Sequence, residues 1–217
     1  MVIQFEIKKL FGKTFALGLA SANGSKCLID WGDGKSRTVI GRGKARRIAH
    51  RYNEFPDKTE YSVRITSDED VVTGLFLRYA APIADIPPVR LKSFDVSQCP
   101  SLEKLALPQF SGLPSIDVSN NPKLRNLSCE CHSFRSIDLG HNPRIEYLYL
   151  SHCRDLEALD LSICPSLKLL DITGTYSLKE LKTADGLRLD KLKISPPERC
   201  QTDTSALQAA SKCVEVF

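Results

Sequence analysis

Residues 113–122 read Leu113-Pro114-Ser115-Ile116-Asp117-Val118-Ser119-Asn120-Asn121-Pro122, and this stretch decides the fold because it recurs. Its apolar frame, Leu113-x-x-Ile116-x-Val118, has counterparts at Leu91-x-x-Phe94-x-Val96, Phe134-x-x-Ile137-x-Leu139 and Leu156-x-x-Leu159-x-Leu161, at intervals of 22, 21 and 22 residues. A second copy sits inside each unit: Leu102, Leu105, Leu107; Leu124, Leu127, Cys129; Ile145, Leu148, Leu150; Leu167, Leu170, Ile172. A unit this short encloses no core of its own and buries its aliphatic stripe only against the next unit. The chain from Leu91 is therefore expected to wind as a solenoid with two short strands per coil. Coils begin at 91, 113, 134 and 156, with a partial fifth from Leu178 and Leu181.

After the first strand of each coil stand Cys99, Asn121, Asn142 and Cys164, residues suited to satisfying turn backbone groups from inside. Downstream, Asp203 to Lys212 is expected to form a short helix with Ser205 and Gln208 as a capping box. Together with the apolar Val214, Val216 and Phe217 it makes a helical cap over about 195–217, covering the edge and apolar layer that a solenoid end exposes. Upstream the rhythm changes to period two, at Phe15, Leu17, Leu19 and at Tyr61, Val63, Ile65, divided by Asp33-Gly34 and by Asn53 to Lys58. The expectation is a mainly β protein with an all-β unit over 1–80 and the solenoid over 81–217. Pro82, Pro87 and Pro88 punctuate the passage between them and imply rigid packing of the two parts.

Both halves resemble a known arrangement. Ile29-Asp30-Trp31-Gly32-Asp33-Gly34, His50-Arg51-Tyr52 and Tyr61-Ser62-Val63-Arg64-Ile65 follow the order of the PKD-like β-sandwich family. Phe94-Asp95-Val96-Ser97, Ile116 to Pro122, Ile137-Asp138-Leu139 and Leu159-Asp160-Leu161-Ser162 resemble leucine-rich repeats with two strands per coil. This pairing is found in surface proteins of gut-dwelling Gram-negative anaerobes. The resemblance implies non-enzymatic binding of proteins or glycans at a cell surface, with no catalytic residues and no cofactor.

Composition sets further bounds. No stretch approaches the roughly 18 uninterrupted apolar residues of a membrane span, and Met1 leads into Ile3, Phe5 and Ile7 without a signal-peptide core. The expectation is cytoplasmic if Met1 is the native start, and surface-exposed or secreted if the resemblance governs. The net charge is +4, and residues 1–80 hold 14 Lys+Arg against 9 Asp+Glu, so the whole excess is N-terminal. Lys35, Arg37, Arg42, Lys44, Arg46, Arg47 and Arg51 crowd one stretch, read either as a solvated strand face or as a footprint for nucleic acid or anionic glycan.

The repeat register stacks side chains in columns. One reads Asp95, Asp117, Asp138, Asp160, then Lys182, flanked by Ser93, Ser115, Ser136 before and Ser97, Ser119, Ser162 after. Carboxylates on strands about 5 Å apart repel by about 0.8 kcal/mol in water and about 3 at an effective dielectric near 20. Hydroxyl and backbone donors can offset that, which makes the column structural. Alternatively it is an acidic stripe that docks a basic partner or divalent cations. On the other strand Tyr147 and Tyr149 point to one side by alternation and are expected to be exposed contact anchors for protein or sugar.

Metal and catalytic readings find less support. The register brings Cys131 beside His152 and His132 beside Cys153, a zinc-like set, but alternation sends one Cys-His pair inward and the other outward. Asp30 and Asp33 supply too few oxygens for Ca²⁺. Cys99, Cys129, Cys153 and Cys164 occupy inward positions as core thiols, while Cys200 and Cys213 flank the terminal helix and could bridge in an oxidising compartment. The sequence shows no nucleophile elbow, phosphate loop or HExxH, and His50, His132, His141 and His152 form no catalytic spacing. The functional expectation is a monomeric, non-catalytic module binding a protein through its solenoid face. The alternatives are a glycan-binding adhesin using Tyr147 and Tyr149, and a nucleic-acid binder using the basic stretch.

Overall fold

The computed structural model describes residues 1–8, 14–52, 60–79, 90–131, 133–196, 199 and 201–217. Seven strands precede residue 80: β1 (Val2–Lys8), β2 (Thr14–Ser21), β3 (Lys26–Asp30), β4 (Ser36–Ile40), β5 (Arg46–Arg51), β6 (Glu60–Thr66) and β7 (Val72–Tyr79). There follow β8 (Arg90–Asp95), β9 (Lys104–Phe110), β10 (Asn126–Cys131), β11 (Tyr147–Tyr149), β12 (Ala158–Leu161), β13 (Leu169–Asp171), β14 (Glu180–Thr183) and β15 (Lys191–Ile194). The chain closes with α1 (Ser205–Ala209) and β16 (Val214–Val216). The protein is mainly β, with a β-solenoid of about five turns.

The period-two runs of the first part are strands with alternating burial, such as β1 with Ile3, Phe5 and Ile7 fully buried. Five strands form one sheet in the order β4-β3-β6-β1-β8, and nine form another in the order β16-β15-β13-β11-β10-β9-β7-β2-β5. Side chains of the two sheets meet where the Phe5 and Phe15 rings lie 6.0 Å apart between centroids. Both sheets continue past residue 80. β8 pairs antiparallel with β1, and β9 pairs parallel with β7, so backbone hydrogen bonds join the first part to the solenoid on both layers. Pro82, Pro87, Pro88 and the segment Asn53 to Lys58 lie outside the described residues.

The long sheet is parallel from β16 to β7 because each coil repeats the inward leucine at the same height. Leu105, Leu127, Leu148, Leu170 and Leu192 are stacked partners along β9, β10, β11, β13 and β15, and all are fully buried. Burying a leucine side chain contributes about 1.5–3 kcal/mol, so this ladder is a principal source of solenoid stability.

The chain rounds the corner between the two strand positions of each coil by a repeated turn. Cys99 N–H bonds to Val96 O at 3.0 Å and Leu102 N–H to Cys99 O at 3.0 Å, and the pattern returns at Val118-Asn121-Leu124, Leu139-Asn142-Ile145 and Leu161-Cys164-Leu167. The asparagines join successive corners. Asn121 Nδ2 donates to Val96 O (3.0 Å) and Cys99 O (2.8 Å), and Asn142 Nδ2 donates to Val118 O (2.9 Å) and Asn121 O (3.0 Å).

Several expectations are corrected. Two strands per coil hold for the coils from 91, 156 and 178, but the coils from 113 and 134 have no first strand. There the ladder thins to single bonds such as Arg135 N–H to Pro114 O, and Pro114 has no N–H to extend it. The first strand of the first coil, β8, belongs to the five-stranded sheet rather than to a solenoid layer. The coil from 178 is complete rather than partial, since β14 pairs with β12 and β15 with β13. The terminal helix is five residues long and Thr204 is its N-cap, without a side-chain capping bond. No capping box forms, because Gln208 Nε2 donates to the Thr204 hydroxyl at 2.9 Å instead of engaging Ser205. Leu207 of this helix is fully buried, whereas Val214 and Val216 extend the core layer at the outermost strand and remain 38% and 52% exposed.

Candidate functional site

In the first part, the residues around Trp31 form a closed structural knot. The turn from Trp31 to Lys35 is tied by Trp31 N–H to Lys35 O (3.0 Å), by Gly32 N–H to Asp30 Oδ1 (2.9 Å) and by Lys35 N–H to Asp33 Oδ1 (3.1 Å). Asp33 Oδ2 also meets His50 Nε2 at 2.8 Å, with the carboxylate side chain only 1% exposed. His50 stacks on Trp31 at 4.7 Å, and the Tyr52 hydroxyl donates to Trp31 O at 2.9 Å. Both Asp33 oxygens are thus committed to protein partners, which leaves them unsuited to chelation.

The aspartate column is exposed along the solenoid, and each carboxylate closes a local turn on itself. Oδ1 of Asp95, Asp117, Asp138 and Asp160 accepts the backbone N–H two residues on, from Ser97, Ser119, Gly140 and Ser162, at 2.8–2.9 Å. The Ser119 and Ser162 hydroxyls donate to the same oxygens at 2.6 and 2.5 Å. These hydroxyls, followed by the backbone N–H groups, hold Asp117 and Asp160 below the ordinary carboxylate range. Lys182 Nζ lies 3.6 Å from Asp160 Oδ2, an exposed pair of small energetic weight. Donors therefore offset the repulsion within the column. Ser93, Ser115 and Ser136, the preceding serines, are exposed and donate no hydrogen bond to the carboxylates.

The strand-two face has a different chemistry. Tyr147 and Tyr149 flank the buried Leu148 on β11 and share the outer side of the long sheet. Tyr147 is 37% exposed. Tyr149 is half-buried rather than exposed as expected, and burial raises its phenol above the ordinary value. Its neighbours in the register are Ser128 and Asp171, and Asp171 is itself buried, with Lys193 3.7 Å away. Tyr147 stands between Asn126 and Leu169, beside a shallow depression lined by Glu103, Lys104, Arg125, Asn126 and Glu146. On the same outer side, the Phe76 ring lies across Gly18 and Gly74, where an added methyl would approach the ring within 3.3 and 3.1 Å.

One column escaped the sequence reading. The residues entering strand two are Glu103, Arg125, Glu146, Lys168, Asp190 and Lys212, alternating in sign from coil to coil. Arg125 and Lys168 both bond Glu146, at 2.8 and 2.7 Å, and Lys212 bonds Asp190 at 2.7 Å. The Lys168 ammonium holds Glu146 below its ordinary value. The signal was present in the 21- to 22-residue register, two positions ahead of the stacked strand-two leucines Leu105, Leu127, Leu148, Leu170 and Leu192. This ladder borders the depression beside Tyr147 and fixes its rim.

The remaining candidates separate. Cys153 is buried and its thiol donates to Cys129 O at 2.9 Å, while His152 is exposed, so these two neighbours point to opposite sides. The side chains of Cys131 and His132 lie outside the described residues, as does Cys200. Burial pushes the Cys99 thiol up to about 12 and Cys164 to about 11, whereas Cys213 is exposed. Among the described residues no group of three or more His, Cys, Asp or Glu side chains could hold a metal ion, and no helix is long and apolar enough to cross a membrane. No protein-family model, curated protein or solved structure matches the chain.

Proposed function

We propose that this chain is a non-catalytic protein-binding module of the leucine-rich-repeat type with an N-terminal PKD-like sandwich, and that its partner docks on the outer face of the nine-stranded sheet. The observation that carries this reading is Tyr147, 37% exposed at mid-sheet beside a depression rimmed by the Arg125–Glu146 pair, which Lys168 braces from the next coil. A part-exposed aromatic on a rigid surface, ringed by polar groups already held in place, matches the anatomy of a protein-interface anchor. Arg125 and Glu146 of the rim are paired with each other, so a partner need not desolvate either as an isolated ion to reach the ring. The aspartate column is assigned a structural role, because every one of its carboxylates is engaged in its own turn.

The test places a photo-crosslinking amino acid at Tyr147 and, separately, at Asp138 on the strand-one side, in cells of the source organism. A discrete protein adduct from position 147 and none from position 138 is expected, and the same partner should be lost from the Tyr147→Ala variant. Equal adducts from both positions, or a partner indifferent to Tyr147→Ala and sensitive to Asp117→Lys with Asp138→Lys, would overturn the reading.

A further inference from the structure

We infer that the edge of the molecule where β4 and β5 lie is a second binding surface, several strands away from the depression beside Tyr147, and that its ligand is a flexible anionic polysaccharide. Lys35, Arg37, Arg42, Lys44, Arg47 and Arg51 are exposed and Arg46 is half-buried. None of the seven makes an ion pair among the described residues, whereas eight lysines and arginines between residues 90 and 217 do. Of the nearby carboxylates, Asp33 is engaged through both oxygens by the Lys35 N–H and His50, and Asp30 accepts the Gly32 N–H through Oδ1. β4 and β5 are the outermost strands of the two sheets, and residues 41–45 join them directly. The cations therefore gather where the two sheet edges meet. A charged edge discourages strand pairing with another chain. Arg47 and Arg51 are not edge guards in that sense, since they stand on the outer face beside Ala49, opposite the buried Ile48.

The distribution selects the class of ligand. Arg37 lies on the inward side of β4 with Val39, Arg47 and Arg51 lie on the outer side of β5, and Lys35, Arg42 and Lys44 sit in the turns. The charge therefore passes from the inward side of one edge strand, through the turns, to the outer side of the other, rather than lying on one flat face. A DNA duplex, with a persistence length of about 50 nm, does not follow such a path at small cost. Single-stranded nucleic acid does bend, but it binds by stacking bases on aromatic side chains, and Trp31 and Tyr52 of this region are buried. A sulfated or carboxylated sugar chain bends and needs only guanidinium and ammonium donors, which arginine supplies as bidentate forks.

The experiment measures binding of the full chain to heparin, a single-stranded oligonucleotide and a DNA duplex at ~50 and ~200 mM salt. Heparin is expected to bind most tightly, weakening about tenfold or more across that range. The variant Arg37→Ser/Arg42→Ser/Arg47→Ser should lose about tenfold or more of heparin affinity, and Arg135→Ser/Arg144→Ser/Arg154→Ser, the same charge removed from exposed solenoid positions, about twofold or less. Equal losses in the two variants would reduce the effect to net charge and overturn the inference. So would tighter binding of either nucleic acid, or no heparin binding at ~50 mM salt. Should a triple variant fail to fold, Arg42→Ser against Arg144→Ser makes the same comparison at exposed turn positions. The crosslinking test at Tyr147 is independent of every one of these outcomes.

Discussion

Replacing Asn142 by aspartate changes the side chain's chemistry at constant shape. Asn142 is fully buried, and its Nδ2 donates to Val118 O at 2.9 Å and to Asn121 O at 3.0 Å. Each of those carbonyls also accepts a turn N–H, from Asn121 and Leu124, so losing the amide does not strip them bare. The two bonds contribute about 1 kcal/mol each. Against them stands Asn142 Oδ1, buried without a donor among the described residues, whose burial costs about 1–3 kcal/mol. Cysteine removes both contributions, so Asn142→Cys is expected within about 1 kcal/mol of the native protein. This near-balance accounts for Cys99 and Cys164 at the equivalent corners. Aspartate, by contrast, turns two donor contacts into two acceptor contacts inside the core, and Asn142→Asp should cost about 3–5 kcal/mol at neutral pH. Burial raises that carboxyl's folded-state pKa above its unfolded value. Relative to native, the variant is therefore least impaired below the unfolded pKa and loses further stability as pH rises through the folded one. Urea midpoints of the three proteins across the acid range measure this. Equal midpoints for Asn142→Asp and Asn142→Cys at neutral pH would refute the donor role of the amide in holding the corners.

Three further outcomes follow from the same geometry. Gly32 has φ +75° and an added Cβ would lie 2.4 Å from Ser62 O, while Gly34 has φ +86° and open space, so Gly32→Ala should destabilise by roughly 3 kcal/mol or more and Gly34→Ala by roughly 1–2 in urea unfolding. If the two cost the same, backbone conformation alone governs this turn. Asp117 and Asp160 have depressed folded-state pKa values, so their stabilisation is complete above the unfolded value and is lost as pH falls through the folded one. Carboxyl titration by NMR should place both below the ordinary 3.8, and Ser119→Ala should move Asp117 upward and leave Asp160 in place. Iodoacetamide on the native protein should label Cys213 rapidly and Cys27, Cys99 and Cys164 only on unfolding, because burial raises all three of those thiols. Labelling of Cys99 at the rate of Cys213 would contradict a closed corner.

The spacing of leucines from Leu91 to Ile172 determined by itself that the chain winds, because inward positions recurring every 21 to 22 residues can be buried only by stacking coil on coil. It also marked the corner positions, since a small or amide side chain after each strand points inward at the turn carbonyls of its neighbour. The aspartate turns were half legible: the Asp-x-Ser spacing named the donors, but only the backbone showed that the N–H two residues on is the constant partner and that Gly140 serves as well as serine. What periodicity does not encode is which backbone groups pair, because side-chain alternation is the same whether a strand is bonded on two sides, one or none. Only tertiary structure could pair β8 along its length with β1 and leave it a single bridge from Arg90 to Ser111 toward the next coil, leave the coils from 113 and 134 without a first strand, and carry both sheets from the first part into the solenoid. The same holds for exposure. Tyr147 and Tyr149 are equivalent by alternation, and they differ because neighbouring coils place a half-buried Ser128 and a buried Asp171 beside Tyr149 while Tyr147 opens onto a depression.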